Sequence, residues 1–440
     1  MKKTMEGMEE VMKKITAVLI GAGARGKIYT QYALDHPEEL EIVAVAEPNP
    51  EKRNRIGERC KIPEERRFSH WEELLAEKKM ADAAIICTLD EMHFEPSCQA
   101  MDKGYHILLE KPMSNCLEEC IELVKKAEET ERILSVCHVL RYTPFYQKIK
   151  EIIMEGLLGE ITGIDQIENV GYWHYAHSFV RGNWRNSKES SPIILAKCCH
   201  DLDIIRWLAG DSCTKISSFG RLKHFVKENA PQEVPSFCLD GCPIDKECPY
   251  HVSKLYLTDN IGWPTDMISS DLSFEGREKS LKRGNYGRCV YACDNDVMET
   301  QIVQMEFQNG VLASLLMSAF TTDMTRQIKV MGTKGQLTGD MDKNEIFVQY
   351  FGTGERVKIN LEVRKDGNQY GHAGGDFGIL YDFVRLLQDG ERHRECLSSG
   401  KNSLESHLMC FAAEEARIEN KIIEMESFYE RKQNASRREN

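Results

Sequence analysis

Chemistry-bearing residues open the chain's first third. Gly21-Ala22-Gly23-Ala24-Arg25-Gly26 ends an apolar run and begins a helical one. Glycines at that spacing can make a tight turn, let backbone approach a diphosphate, and pack a helix closely on a strand. The phosphates would then rest on the free N–H groups of the helix N-terminus. Glu47 follows Gly26 by twenty-one residues, at the end of the next apolar run. A carboxylate there accepts hydrogen bonds from both ribose hydroxyls and repels a 2′-phosphate, so NAD is the expected cofactor. Arg25 and Arg53 are the residues that speak for NADP instead. The competing readings are a glycine turn without ligand and a helix-start acid at Glu47.

Three further groups stand out. In His106-Ile-Leu-Leu-Glu110-Lys111-Pro112 a lysine closes a strand-like run, at the edge where α/β sheets bind ligands, and can face a nicotinamide. Taken alone, Glu-Lys-Pro reads more simply as a solvated turn. The segment 171–185 holds Trp173, His174, His177, Arg181, Asn183, Trp184 and Arg185. Aromatic faces stack on sugar C–H surfaces while Arg, Asn and His read hydroxyls or a carboxylate, against the alternative of a loop packed on itself. Finally, Cys238, Cys242 and Cys248, with His251 close behind and Cys289 and Cys293 further on, suggest either a structural zinc or iron–sulfur knot or unligated thiols acting as small apolar residues.

The elements that must position these groups follow from length and pattern. A chain of 440 residues exceeds one core, so two domains are expected. Ile15–Ile20, Glu41–Ala46, Ala83–Cys87 and His106–Leu109 read as strands, with helices at 26–35 and 94–103 between them, a doubly wound parallel sheet. Past Val139 the pattern becomes α+β with a mixed or antiparallel sheet, including a hairpin turned at Asn309-Gly310. The expected layout is an extension over 1–13, a Rossmann domain over 14–138 and a catalytic domain over 139–429. A cysteine-rich insertion occupies about 220–290, and a polar, disordered tail 430–440.

Net charge of −13 argues against nucleic acid or anionic membrane as partners and for small molecules. No eighteen-residue apolar run occurs and the N-terminus lacks a signal-peptide core, so a cytoplasmic protein with reduced thiols is expected.

Taken with Thr88-Leu-Asp-Glu-Met-His93, Arg141-Tyr142-Thr143-Pro144-Phe145-Tyr146 and His200-Asp201-Leu202-Asp203, these motifs closely resemble the Gfo/Idh/MocA family of sugar oxidoreductases. The resemblance spares only the termini and the cysteine-rich insertion. It implies NAD(P), carbohydrate or cyclitol substrates, and homodimers or homotetramers. By position it makes Lys111 and His200 catalytic, Gly21, Gly23, Ala24, Arg25, Gly26, Glu47, Thr88, His93, Glu110 and Lys111 cofactor-binding, and Asp203 substrate-binding.

Chemically, an imidazole accepts the hydroxyl proton of a carbinol while an ammonium steadies the developing oxyanion. One position departs from the family: Ala196 stands where many members carry an aspartate. Lys197 beside it is then either a second cation, binding substrate or lowering the pKa of Lys111, or a structural lysine. Three functions follow as expectations: a dehydrogenase acting on a secondary alcohol; an enzyme that retains NAD and cleaves a glycoside through transient oxidation and elimination; and a sugar- or dinucleotide-responsive binding protein without catalysis.

Overall fold

The computed structural model describes residues 13–361, 371–389 and 396–439 and divides into two compact units. Residues 1–12, most of the expected extension, lie outside the described residues.

The first unit holds a six-stranded, all-parallel sheet of β1 (Ile15–Ile20), β2 (Leu40–Ala46), β3 (Arg67–Phe68), β4 (Ala83–Ile86), β5 (His106–Leu109) and β6 (Leu134–Val136), in the order β3-β2-β1-β4-β5-β6. Helices cross over between strands, so both sheet faces are covered and a strand such as β4 is buried at all four positions. That is why these strands read as unbroken apolar runs. Strand order reverses between β1 and β4, which opens the ligand-binding crevice of such sheets at their carboxyl ends.

The linear domain boundary needs correcting, because among the described residues the first unit takes back 371–389 and 396–403. The helix Gly375–Gln388 buries Phe377, Ile379, Leu380, Phe383 and Val384 in the same core as Tyr29, Tyr32 and Ala33 of the helix Ala24–Asp35. Each such side chain, fully buried, contributes about 1.5–3 kcal/mol.

The second unit is built on a nine-stranded sheet of β7 (Ile161–Asn169), β8 (Cys213–Arg221), β9 (Thr300–Phe307), β10 (Leu312–Ser318), β11 (Thr325–Gly332), β12 (Gly335–Asp340), β13 (Glu345–Tyr350), β14 (Arg356–Ile359) and β15 (Ile423–Glu424). Its order is β14-β13-β12-β11-β7-β10-β9-β8-β15, antiparallel except where β7 runs parallel to β10. Alternate residues of β9 and β10 are buried, as a sheet with one covered face requires. Their hairpin turns at Gly310, φ +83°.

The cysteine-rich insertion fills the connection between β8 and β9. The C-terminal tail differs from expectation: the helix Met425–Glu439 carries through it, anchored by buried Phe428 and by Arg431 on Glu415. Among the described residues no helix is long and apolar enough to cross a membrane.

Candidate active site

The three glycines after β1 differ physically. Gly21 has φ +93°, and a Cβ there would lie 2.6 Å from the carbonyl oxygen of Cys87, so neither turn nor neighbour tolerates a side chain. A Cβ on Gly26 would lie 2.3 Å from the Gly21 oxygen, whereas one on Gly23 meets nothing within 4 Å. Closure at Gly21 and Gly26 with open space over Gly23, the residue preceding the helix Ala24–Asp35, is the cradle a diphosphate needs. Glu47 stands at the end of β2, its Oε2 accepting from Ala22 N (2.8 Å) and its Oε1 from Asn49 N (3.0 Å). Arg53 donates to the carbonyls of Glu47 and Pro48. Both Glu47 oxygens thus face the backbone at the end of β2, beside the glycine turn.

Arg25 departs from the reading that aimed its side chain at the cofactor. Its guanidinium turns inward, with Nε donating to Glu110 (2.6 Å), Nη2 to the Tyr29 hydroxyl (2.6 Å) and both Nη atoms to Asp376. Glu110 and Asp376 are 7% and 0% exposed, so a dication-sized demand falls on one arginine; Tyr29 O–H (on Glu110) and His372 (on Asp376) supply the remaining contacts. Burial opposes ionisation of both acids, yet the cations outweigh it: Arg25 holds Glu110 below the usual carboxylate range, and His372 with Arg25 does the same for Asp376. Asp376 was not legible beforehand, since it joins this cluster from more than 350 residues away in sequence.

The cluster reaches the lysine turn directly. Glu110 accepts from its neighbour's backbone, Lys111 N, at 3.0 Å. His93, 1% exposed, places Nδ1 2.7 Å from the Pro112 carbonyl, to which it donates, and Nε2 3.3 Å from the carbonyl of Thr88. Thr88 itself donates to Met92 O (3.0 Å), closing the loop after β4. Glu110 and His93 thus grip the backbone on either side of Lys111, which makes them positioning residues for that turn. They occupy the cofactor edge of the sheet, where they bond to protein atoms.

In the second unit, His200 and Asp203 lie buried in the helix Cys199–Ala209, preceded by the short helix Ile193–Ala196. Ala196 is buried; Lys197 beside it pairs with Glu168 of β7 at 3.2 Å. Glu168 also meets Arg326 of β11 (2.9 Å), which pairs in turn with Asp201 (2.9 Å), and Gln166 donates to Asp201 at 2.6 Å. Two acids and two bases make a group of zero net charge, the condition under which buried ions persist. Burial pushes the Asp201 carboxyl up to about 6 against the pull of Arg326. Glu168 and Arg326 were missed in the sequence because strand alternation marks them only as inward-facing, not as partners, and Asp201, though part of the helix motif, carried no sign of its partner across the sheet.

The segment 171–185 divides. Trp173 packs on Trp263 of the insertion (ring centroids 5.2 Å), with His174 at 5.0 Å from the same indole, and Trp263 is 42% exposed. This half-open aromatic face suits a sugar ring, and Trp263, in a segment of weak periodicity, gave no earlier signal. Burial and then Lys197 hold His174 well below its ordinary pKa.

Two expected substrate contacts are corrected. His177 is 3% exposed, stacked on Tyr286 and bonded to the Tyr256 hydroxyl (2.9 Å), and burial lowers its pKa to about 3. Arg181 is fully buried and donates to the carbonyls of Arg288 (2.7 Å) and Tyr250 (2.8 Å). Both fasten the insertion, because the chain here winds into a π turn, Ala176–Arg181, whose close pitch faces them inward. Arg185 pairs with Asp294 and Glu189 near the surface, Asn183 is exposed, and Trp184 packs near Phe179.

The expected metal set also fails as a single-ion site. Among the described residues the only three His, Cys, Asp or Glu whose ligand atoms all lie within 4.8 Å of one another are His36, Glu38 and Glu39. Cys238, Cys242, Cys248 and Cys289 thus stand too far apart for one tetrahedral zinc, whose ligating sulfurs are ~3.8 Å apart. All sixteen cysteines are free thiols.

Comparison with known proteins agrees with this geometry. A family described as an oxidoreductase family with NAD-binding Rossmann fold matches residues 15–138, and its C-terminal alpha/beta domain matches 150–385. The chain is 23% identical over 381 residues to the putative oxidoreductase YteT of Bacillus subtilis, covering 82% of this chain and 86% of that one. It is 27% identical over 146 residues to the 2,7-anhydro-N-acetylneuraminate hydratase of Escherichia coli, covering 33% of this chain and 38% of that one. A 1,5-anhydro-D-fructose reductase of Ensifer adhaerens and an NAD+-linked scyllo-inositol 2-dehydrogenase of Bacillus subtilis stand among further relatives. In fold it is similar to an oxidoreductase from Agrobacterium radiobacter solved with NAD+, L-tartaric acid and magnesium, at TM-score 0.68 and 16% identity over 94% of this chain and 99% of that one.

Proposed function

The chain belongs to the Gfo/Idh/MocA oxidoreductase family, and from that premise we propose that it passes a hydride between a secondary alcohol of a sugar or cyclitol and NAD. The observation that carries the reading is the glycine turn at the strand-order reversal, closed at Gly21 and Gly26 and open at Gly23, with a carboxylate at the end of β2. When bound, NAD supplies the hydride acceptor at carbon 4 of its nicotinamide.

The protein's own part is positioning and proton handling. Gly23 and the N–H groups that follow it seat the diphosphate, and Glu47 accepts from the ribose hydroxyls. Lys111, its turn held by His93 and Glu110, stabilises negative charge on the substrate oxygen. His200 takes the hydroxyl proton, and returns it in the reverse direction. Trp173 and Trp263 offer their faces to the apolar side of the ring, while Lys197, neutralised by Glu168, reads a hydroxyl.

A panel of sugars, cyclitols and sugar acids with NAD or NADP, followed by NADH absorbance, tests the reading. NADH formation with at least one member supports it, and NADP preferred over NAD throughout would contradict it. A second reading is favoured by the hydratase among the relatives: NAD stays bound, the substrate is oxidised and reduced again within one turnover, and water adds or a glycoside breaks between the two steps. Product formation without free NADH, with NAD copurifying, distinguishes it from the first.

A further inference from the structure

The insertion between β8 and β9 holds more thiols than its chemistry so far explains. One buried apolar cluster of the insertion is Cys238, Val252, Tyr256 and Leu281, with Leu239, Leu255, Leu257, Ile268 and Tyr286 half-buried against it, and Phe225, Tyr250, Cys289, Val290 and Val297 are buried beside it, a modest core for a segment that runs from Leu222 to Glu299. Segments with so modest a core are commonly held by disulfides or metal, and disulfides are absent.

Backbone pairing gathers four cysteines. Phe237 bridges Arg288 in antiparallel sense, with Cys238 N donating to Gly287 O (3.0 Å) and Cys289 N to Ser236 O (2.8 Å), so Cys238 and Cys289 lie on adjoining strands. The turn that begins at Cys242 ends at Cys248, whose N donates to Ile244 O (2.9 Å), and His251 Nε2 donates to the Cys238 carbonyl (3.0 Å), drawing that turn against Cys238. Cys248 is within electrostatic reach of Cys238 and Cys242, and Cys289 within reach of Cys238 and Cys248. Cys293 is within reach of Cys289 and Arg181 as well, but its thiol is engaged by the Cys289 carbonyl at 3.3 Å.

Arg181 supplies the independent observation. Its side chain is fully buried; Nε and Nη2 donate to the carbonyls of Arg288 and Tyr250, Nη2 also lies 3.7 Å from Cys238 Sγ, the Tyr256 hydroxyl is nearby, and Nη1 is buried without an acceptor. Among the described residues no carboxylate pairs with it. A buried guanidinium facing neutral thiols is costly; the same guanidinium facing metal-bound thiolates is neutralised and donates to sulfur.

We propose that Cys238, Cys242, Cys248 and Cys289 bind an iron–sulfur cluster that braces the insertion, with Arg181 as its buried counter-charge. Among the described residues no three of these sulfurs lie within 4.8 Å of one another, whereas the sulfurs of one zinc tetrahedron are ~3.8 Å apart. A [4Fe–4S] cluster takes four cysteine thiolates, its ligands held farther apart by the intervening iron and sulfide.

The test uses the full chain purified without oxygen, analysed for iron, acid-labile sulfide and zinc. The expected result is about four irons and four sulfides per chain, with a brown colour bleached by dithionite. Cys248→Ser should lose most of the iron, while Cys293→Ser keeps it; if Cys248→Ser does not fold, the metal and sulfide content of the unaltered chain decides alone. One zinc per chain without sulfide, or a chain free of metal after anaerobic purification and after reconstitution with iron and sulfide, would overturn the proposal.

Discussion

Replacing Arg25 with methionine should unfold the dinucleotide-binding unit at a temperature roughly 8–16 °C lower at pH 7. The magnitude follows from the cluster. Arg25 is the guanidinium common to Glu110 and Asp376, 7% and 0% exposed, and removing one member of a buried ion group costs about 3–5 kcal/mol. At about 4 kcal/mol, with about 2–4 °C per kcal/mol for a unit of this size, the range above results.

The pH dependence gives a sharper signature. In the native protein both carboxyls are held below their ordinary range, so their stabilisation is complete above about pH 4 and is lost only as pH falls through the lower, folded values. Without the guanidinium, burial pushes the Glu110 carboxyl upward, while His372 still faces Asp376, and the variant gains stability as pH falls from 7 to 5. The gap between the two proteins should therefore narrow at pH 5. Scanning calorimetry at both pH values measures it, and added NAD identifies the relevant transition by raising it. A loss under about 1 kcal/mol, or a gap equal at the two pH values, would refute the reasoning.

Other substitutions separate folding from binding. Gly23→Ala should melt within a degree or two of the parent yet bind NAD at least about tenfold more weakly by calorimetric titration, since its Cβ enters open space; Gly26→Ala should be destabilised by about 1–3 kcal/mol in a denaturant melt, its Cβ falling on the Gly21 carbonyl. Glu47→Gln should narrow the preference for NAD over NADP by about tenfold in Kd, because the repulsion of a 2′-phosphate goes with the charge. His93→Phe, which removes the donor to Pro112 O, should lower kcat about tenfold through a loosened Lys111 turn while leaving NAD affinity within about twofold.

The nucleotide edge was legible because its signals are local. A parallel strand buried on both faces is an apolar run, and the turn after β1 requires glycine at fixed offsets, so Gly21 to Gly26 and Glu47 could be read without coordinates. Asp376 and Trp263 were not legible, since pairing across long sequence separation leaves no periodic trace. His177 and Arg181 misled for a related reason. Composition of 171–185 shows polar and aromatic groups, but the π turn decides which face inward, and it turned these two toward the insertion. The C-terminal helix was obscured by its polar composition, which surface ion pairs and one buried phenylalanine offset.

In the proposed reaction the glycine turn binds NAD and the lysine turn serves turnover, two separable roles. Lys111→Ala, compared with the parent for NAD binding by titration and for NADH formation on the best substrate of the panel, measures that separation. The expected result is NAD affinity within about threefold of the parent and turnover reduced by about 10²–10³ or more. Turnover within tenfold of the parent, or loss of NAD binding in parallel with turnover, would contradict it.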